Sequence, residues 1–368
     1  MLTFHSLEVA DVRPEGSDAL CISLDVPEPL RDAYRFLPGQ HVGLRARIDG
    51  QEVRRTYSIC SGADEPRLRI GVRVHDNGSM SRYLASQLRA GDRIDVLTPT
   101  GRFFVEPDPS AARTYCAFAG GSGITPILGI IRNLLAREPH SRFILFYSNR
   151  TTATIMFAEE LLALKDRYAT RLSLYFLLSR EPQEVELFNG RLDHDKVTLL
   201  SRQVFDPLQT DAFLLCGPGD MIDSVRNTLV GLGVDAARIH TERFANDMPI
   251  VSHREGAARI DAVVPATPKR ETAAELAHIT ITMDGRQRGF AMLEDDATVL
   301  EAAERVGMEL PYSCRAGVCS TCRAKITRGT AEMATNYALE PWEVEAGFIL
   351  CCQARPTSGE LELTYDER

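Results

Sequence analysis

The feature that most constrains this chain is a run of thiols near its C-terminus. Cys314, Cys319 and Cys322 are spaced C-x4-C-x2-C, and Cys351 and Cys352 lie about thirty residues further on, with 28 and 29 residues between them and Cys322. Three close thiols on a tight loop, closed by one thiol from a distant segment, match the ligand spacing of a plant-type 2Fe–2S cluster. Zinc ribbons use the C-x2-C pair twice, whereas here the first pair is spaced four apart. Either Cys351 or Cys352 supplies the fourth sulfur on spacing alone. Gly317, Ala316, Ser320 and Thr321 are small, so backbone amides approach cluster sulfurs closely. The other cysteines, Cys21, Cys60, Cys116 and Cys216, are scattered singly, unlike a disulfide framework.

A chain of 368 residues is too long for one core, and two or three domains are expected. With 44% hydrophobic and 25% charged residues it has a globular composition. No apolar run approaches a membrane span, and the first residues lack a basic stretch followed by an apolar one. We therefore expect a cytoplasmic protein with no membrane partner. The net charge is −9 without a basic block, which argues against nucleic acid. From Leu276 onward there are 15 Asp+Glu and 9 Lys+Arg, a balance of −6. Such an acidic face steers a basic partner, although a small acidic domain is also simply more soluble.

Short alternating segments recur in the first 107 residues: 20–26, 41–46, 55–60, 68–74 and 93–98, separated by glycine-containing turns. They predict a small antiparallel barrel (domain 1–107) with one short helix near 81–89. Beyond Pro107 and Pro109, strand-like runs at 114–119, 142–147, 171–178 and 212–216 alternate with helical periodicity. One helical face carries Ile124, Ile127, Leu128, Ile131, Leu134 and Leu135; Phe157, Leu161, Leu162 and Leu164 share part of another. That alternation predicts a doubly wound parallel α/β domain at 108–245. Periodicity fades over 246–275, read as a linker. A hairpin through Asp284-Gly285, a helix over 298–306 and the thiol loop then make a last small α+β unit, 276–368.

Two glycine-rich turns lie in the α/β half. Gly120, Gly121 and Gly123 follow a strand and open a helix, where amides and the helix dipole suit a pyrophosphate. Cys216-Gly217-Pro218-Gly219 ends a later strand of the same sheet. Both should face one crevice, because open α/β sheets bind ligands at strand C-termini. In the barrel half, Arg55, Thr56, Tyr57 and Ser58 place a cation, an aromatic ring and hydroxyls on one strand. Gly78-Ser79-Met80-Ser81 starts the short helix, a second anion-binding end. Taken singly, each has a plainer reading as a turn, a strand or a cap. Ser148, Asn149 and Arg150 follow the second α/β strand, where serine and arginine suit a 2′-phosphate and an acidic residue would select NADH.

Taken in order, Arg55-x-Tyr57-Ser58, Gly78–Ser81, Gly121-x-Gly123-x-x-Pro126 and Cys216–Gly219 resemble the ferredoxin–NADP reductase superfamily over essentially the whole chain. A C-terminal plant-type ferredoxin domain of the β-grasp type marks the subgroup that serves multicomponent oxygenases. The stretches 3–7, 33–41, 148–152, 335–340 and 352–354 narrow the resemblance within that subgroup. It implies FAD in the barrel, with Arg55, Gly78, Ser79, Met80 and Ser81 at its pyrophosphate, Tyr57 on the ring system, and Thr56, Val72 and Val74 lining the site. Ser58, Cys216 and Glu242 are implied as the catalytic residues beside the reacting ring, with Phe244 over the flavin face. Gly121, Ser122, Gly123, Thr125, Ser148, Arg150, Gly217, Pro218, Gly219 and Met221 are implied to hold a pyridine nucleotide, NADPH in preference to NADH. Cys352 is implied as the fourth cluster ligand beside Cys314, Cys319 and Cys322; a second cysteine at 351 departs from the family pattern.

The implied function is a reductase that carries electrons from NADPH through FAD and the 2Fe–2S cluster to a di-iron oxygenase complex. Two other readings stand beside it. One is the same chemistry serving a ring- or steroid-hydroxylating oxygenase; the other is a redox sensor or electron carrier without efficient turnover.

Overall fold

A computed structural model of the chain describes residues 3–244 and 274–367. These divide into two compact units, with the break after Phe244. The linker expected at 246–275 lies outside the described residues as far as 273.

The first unit opens with six strands: β1 (Phe4–Glu15), β2 (Ala19–Asp25), β3 (His41–Ile48), β4 (Gln51–Ser58), β5 (Leu68–Arg73) and β6 (Arg93–Leu97), with helix α1 (Ser79–Ser86) after β5. They form one antiparallel sheet ordered β4-β3-β6-β1-β2-β5. A bridge between Ile59 and Ile70 joins its two edges and closes it into a barrel, removing exposed edges. Leu7, Val9, Ile22, Leu24, Val42, Leu44, Ile70 and Val96 fill the interior with no exposed surface. The longest strand, β1, is not among the segments expected from alternation. Its register shifts between Val9 and Asp11, and such a bulge interrupts the period-two pattern by which strands are recognised. Helix α1 starts two residues before the expected 81, because Gly78 takes the N-cap position.

Next come β7 (Thr114–Gly120), α2 (Ile124–Arg137), β8 (Arg142–Asn149), α3 (Ala158–Arg167), β9 (Leu172–Leu178), α4 (His194–Gln203), β10 (Ala212–Cys216), α5 (Gly219–Gly231) and β11 (Ile239–Glu242). All five strands run parallel in the order β11-β10-β7-β8-β9. The chain reverses its winding at β7, so the crevice lies between the C-termini of β7 and β10. Short β11 is also unexpected; four residues, half of them exposed, carry no usable periodicity.

Glu138, after α2, is fully buried and fastens the start of this half. It accepts from Tyr115 Oη at 3.0 Å, from Ser141 Oγ, and from the Asp108 amide at 2.9 Å. Glu138→Ala orphans all three donors and is expected to lower stability by about 2–4 kcal/mol. Glu138→Gln keeps an acceptor and should lose less; thermal denaturation of both variants checks this.

The second unit holds β12 (Glu275–Met283), β13 (Arg286–Leu293), α6 (Val299–Arg305), β14 (Arg323–Arg328), β15 (Ala331–Met333), α7 (Pro341–Glu345), β16 (Phe348–Leu350), β17 (Ala354–Pro356) and β18 (Glu360–Thr364). Its main sheet, β13-β12-β18-β14-β16, is mixed, with β12 and β18 parallel and the other pairs antiparallel. Asp284 and Gly285 both adopt positive φ, 53° and 68°, as a two-residue hairpin turn requires. Asp366 accepts from both of their amides. Thr298 caps α6 by accepting from the Glu301 amide. Among the described residues no helix is long and apolar enough to cross a membrane.

Candidate functional site

Helix N-termini show where this chain leaves amides available. Asp193 caps α4 and Thr298 caps α6 with side-chain oxygens. By contrast α1, α2, α3 and α5 begin at Gly78, Gly123, Phe157 and Pro218, with no side-chain cap. Amides left free in this way are ready to receive a phosphate, and the starts of α1, α2 and α5 carry residues singled out from the sequence.

In the barrel, Arg55 is exposed and Tyr57 half-buried at the end of β4. Desolvation pushes the Tyr57 phenol up, and Arg55 opposes it. Thr56 is half-buried beside them. Ser79 is exposed at the first turn of α1, while Met80 and Ser81 are buried. Ser81 Oγ accepts from the His75 amide and donates to the Gly78 carbonyl, fixing the approach to the helix. A Cβ on Gly78 would lie 2.4 Å from Ser81 Oγ, so the loop tolerates no larger residue without shifting. Val72 packs in the barrel core with no exposed surface, which leaves its backbone as the part available to a ligand; Val74 is half-buried.

The two glycine turns of the α/β half pack against each other. A Cβ on Gly123 would sit 2.0 Å from the Cys216 carbonyl oxygen, and one on Gly120 would sit 2.6 Å from Pro218 Cδ. Met221 wedges beside both, 2.9 Å from the position of a Gly120 Cβ and 2.7 Å from that of a Gly217 Cβ. The sheet thus brings Gly121, Ser122, Gly123, Thr125, Cys216, Gly217, Pro218, Gly219 and Met221 to one crevice. Thr125 Oγ1 donates to the Ser122 carbonyl at 2.9 Å. Ser148 lies opposite Gly120 in the β7–β8 register, half-buried, with Arg150 exposed just beyond.

Other residues at this crevice escaped the sequence reading. Tyr147 Oη donates to the Gly121 carbonyl at 2.9 Å. The Arg73 guanidinium lies 3.8 Å from the position of a Gly121 Cβ, and pairs with Asp18 at 2.8 Å. Nothing local marks either residue; only the end-of-strand position of both was available as a signal.

At the mouth of the crevice β11 delivers Glu242 to the barrel. Ser58 Oγ donates to Glu242 Oε2 at 3.4 Å, and His41 Nδ1 lies 3.6 Å from Oε1. His41 and Ser58 are direct partners in the β3–β4 ladder. His41 Nε2 is buried without a protein partner, the condition that a bound polar ring relieves. Phe244 packs half-buried against the core cluster that contains Cys216 and Ile124, and Cys216 itself is fully buried.

In the second unit four sulfurs gather. The Cys314 thiol is within hydrogen-bond reach of Cys319 and Cys352, and Cys352 also of Cys322. These contacts hold the Cys314 thiol well below the usual thiol range, with the Ala316 and Val318 amides adding to the effect. Cys352 and Cys319, as donors to it, are pushed up. Cys351 lies beside the Tyr365 hydroxyl, and burial pushes its thiol up. The loop reaches this shape through positive φ at Arg315, Gly317 and Ser320. A Cβ on Gly317 would lie 3.0 Å from the Thr335 carbonyl. Among the described residues no three His, Cys, Asp or Glu side chains are placed to hold a single ion, whereas a binuclear cluster divides its four ligands between two irons. Ser313 Oγ, buried without a protein partner beside Cys314, fits a donor to cluster sulfur.

Two nucleotide-binding halves and a thiol-lined unit in one polypeptide define a pyridine-nucleotide-dependent flavin and iron–sulfur oxidoreductase. Family models agree in the same order: an oxidoreductase FAD-binding domain at residues 6–105, an oxidoreductase NAD-binding domain at 118–227, and a 2Fe–2S iron–sulfur cluster binding domain at 281–357. The chain is 39% identical over 368 residues to the E subunit of 1,2-phenylacetyl-CoA epoxidase from Escherichia coli, covering 100% of this chain and 99% of that one. It is 31% identical over 363 residues to the ferredoxin reductase component of 3-ketosteroid-9-alpha-monooxygenase from Rhodococcus rhodochrous, covering 98% and 96%. Among solved structures, phthalate dioxygenase reductase shares the fold at a TM-score of 0.55 and 23% identity, covering 98% of both chains. The chain belongs to the family of ferredoxin–NADP reductase-type reductase components of oxygenase systems that carry a C-terminal ferredoxin domain. Its domains form an electron chain from a pyridine nucleotide through FAD to a 2Fe–2S cluster.

Proposed function

We propose that the acceptor is a di-iron oxygenase that epoxidises phenylacetyl-CoA, and that NADPH is the donor, in the cytoplasm. Identity of 39% along the whole chain to the E subunit of that epoxidase carries this reading. The functional units are taken as 1–107, 108–245 and 276–368, joined by 246–275; the three family matches lie inside those limits. When bound, FAD supplies the conversion of a two-electron hydride into single electrons, and the cluster supplies a one-electron exit.

The chain's own residues hold and orient these groups. Arg55 and the uncapped start of α1 take the flavin pyrophosphate, while Tyr57, with Thr56, Val72 and Val74 behind it, supports the ring. Free amides at Gly121–Gly123 and Gly219 take the pyrophosphate of NADPH, with Arg73 adding positive charge close to Gly121. Ser148 and Arg150, at the end of β8, stand where a 2′-phosphate is read. Ser58 holds its hydroxyl on Glu242 beside the reacting ring, and His41 orients the far oxygen of that carboxylate. Cys216 walls the crevice, and Phe244, packed beside it, would cover the ring. Cys314, Cys319, Cys322 and Cys352 hold the cluster.

The test is a coupled assay with the flavin- and cluster-loaded chain and the oxygenase subunits of the epoxidase. NADPH oxidation should rise on adding phenylacetyl-CoA, with NADPH giving a higher kcat/KM than NADH. Equal oxidation with and without phenylacetyl-CoA, together with coupling to a steroid- or ring-hydroxylating oxygenase, would sink the reading.

A further inference from the structure

Ten large apolar side chains are exposed among the described residues, and three of them, Tyr337, Trp342 and Val344, fall within eight positions. Their exposures are 47%, 59% and 43%. Scattered exposed apolar residues need no explanation, but a local group containing a tryptophan and a tyrosine does.

This segment is held rigidly. Asn336 Oδ1 accepts from the Ala338 and Leu339 amides at 3.2 and 2.8 Å, and its Nδ2 donates to the Leu339 carbonyl. Leu339 is buried in the core of the unit. Glu340 and Glu343 form a reciprocal cap at the start of α7. Glu343, fully buried, accepts from Arg323 Nε at 2.8 Å, and Arg323 follows directly on Cys322. The segment is also tied to the thiol loop: the Tyr337 amide donates to the Gly317 carbonyl at 3.1 Å, midway between Cys314 and Cys319. A backbone held in place before binding lowers the entropy that its aromatic side chains lose on docking, and exposed Tyr and Trp are typical interface hot spots.

We propose that Tyr337 and Trp342 anchor the oxygenase when it takes its electron from the cluster. This rests on the reading of the acceptor given above. Any acceptor must approach the cluster loop, and this patch is hydrogen-bonded to that loop. Its charge selects the partner: positions 332–346 contain no lysine or arginine, and Glu332, Glu340 and Glu345 are exposed there, while Glu343 is buried against Arg323. The complementary surface is an apolar socket with a basic rim, where acidic rim residues speed encounter and the aromatic side chains hold the complex.

The experiment uses the loaded full-length chain and the oxygenase subunits of the epoxidase. Tyr337→Ala combined with Trp342→Ala should raise the KM for the oxygenase about 30-fold, the level of one hot-spot residue. Cluster absorbance, ferricyanide reduction and the single-turnover rate of cluster reduction by NADPH should stay at wild type. Trp342→Phe should recover most of the affinity, and Val306→Ala, at an exposed site elsewhere in the unit, should change nothing. Because Trp342 is the sole tryptophan of the chain, its fluorescence should change as the oxygenase is titrated in. An unchanged KM in the double variant overturns the proposal. So does a slowed cluster reduction by NADPH, which would make the patch a contact with this chain's own flavin half. If the wild type couples to a different oxygenase, the reading of the acceptor falls, and the same KM ratio measured with that oxygenase decides the patch.

Discussion

Cys352→Ala abolishes the 2Fe–2S absorbance and electron paramagnetic resonance signal, while Cys351→Ala preserves both. That is the largest separation expected between two adjacent residues of this chain. The Cys352 thiol reaches Cys314 and Cys322, so its loss removes one corner of the cage. Cys351 turns to Tyr365, and its role in the unit is carried by backbone. Its amide donates to the Cys322 carbonyl and its carbonyl accepts from the Leu300 amide, both at 3.0 Å. Alanine keeps those bonds and leaves only a small void, costing about 1 kcal/mol. Electron delivery to the oxygenase in Cys352→Ala should fall by more than about 100-fold, beyond what disturbed outer-shell partners produce. Flavin reduction by NADPH should continue at the wild-type rate, because the flavin and nucleotide residues all lie in the first compact unit. A retained cluster in Cys352→Ala, or its loss in Cys351→Ala, would reverse the assignment.

Gly123→Ala is expected to disable the nucleotide crevice without touching the cluster. The backbone at Gly123 has φ −61°, a value that alanine adopts freely. The obstacle is therefore one of space. Its Cβ would meet the Cys216 carbonyl oxygen at 2.0 Å, the carbonyl carbon at 2.4 Å and the Gly217 amide nitrogen at 2.7 Å. All three are backbone atoms, so no side chain can swing aside. The two glycine turns must part, at a cost of about 1–3 kcal/mol or more. Felt at the nucleotide site, that weakens NADPH about 5- to 150-fold. Stopped-flow flavin reduction at varied NADPH should show the rise in Kd, with an unchanged cluster spectrum. Gly231→Ala is the control: nothing lies within 4 Å of its Cβ and its φ is not positive, so it should be neutral or slightly stabilising.

The parts of the site that were legible are those whose chemistry is local in sequence. The C-x4-C-x2-C loop, the turns at 120–123 and 216–219 and the helix start at 78–81 each carry their meaning in consecutive residues. The Asp284-Gly285 turn is similar, since the left-handed backbone it needs restricts which residues can stand there. Strand β1 shows the limit of this. It is the longest strand among the described residues, but its bulge at 9–11 breaks the alternation by which a strand is read. Glu242 was reached only through the family resemblance, and His41 not at all, because Ser58 and Glu242 are 184 residues apart. Arg73 and Tyr147 share the difficulty: an arginine or tyrosine at the end of a strand looks the same whether or not a glycine turn is folded over it.

The thiol loop that most constrains the sequence also shows where the division falls. Spacing alone determined that three cysteines sit on one tight loop and that a fourth comes from position 351 or 352, since covalent geometry bounds how far a short loop can spread. The choice between those two is one of direction. In the turn after β16 only tertiary packing distinguishes the two thiols, setting Cys352 within reach of Cys314 and Cys322 and Cys351 beside Tyr365, and on that placement we propose Cys352 as the ligand. The same holds for the two glycine turns. Their composition announced that backbone must come close to something, and the parallel sheet, by setting β7 beside β10, decided that the nearest neighbour of each turn is the other.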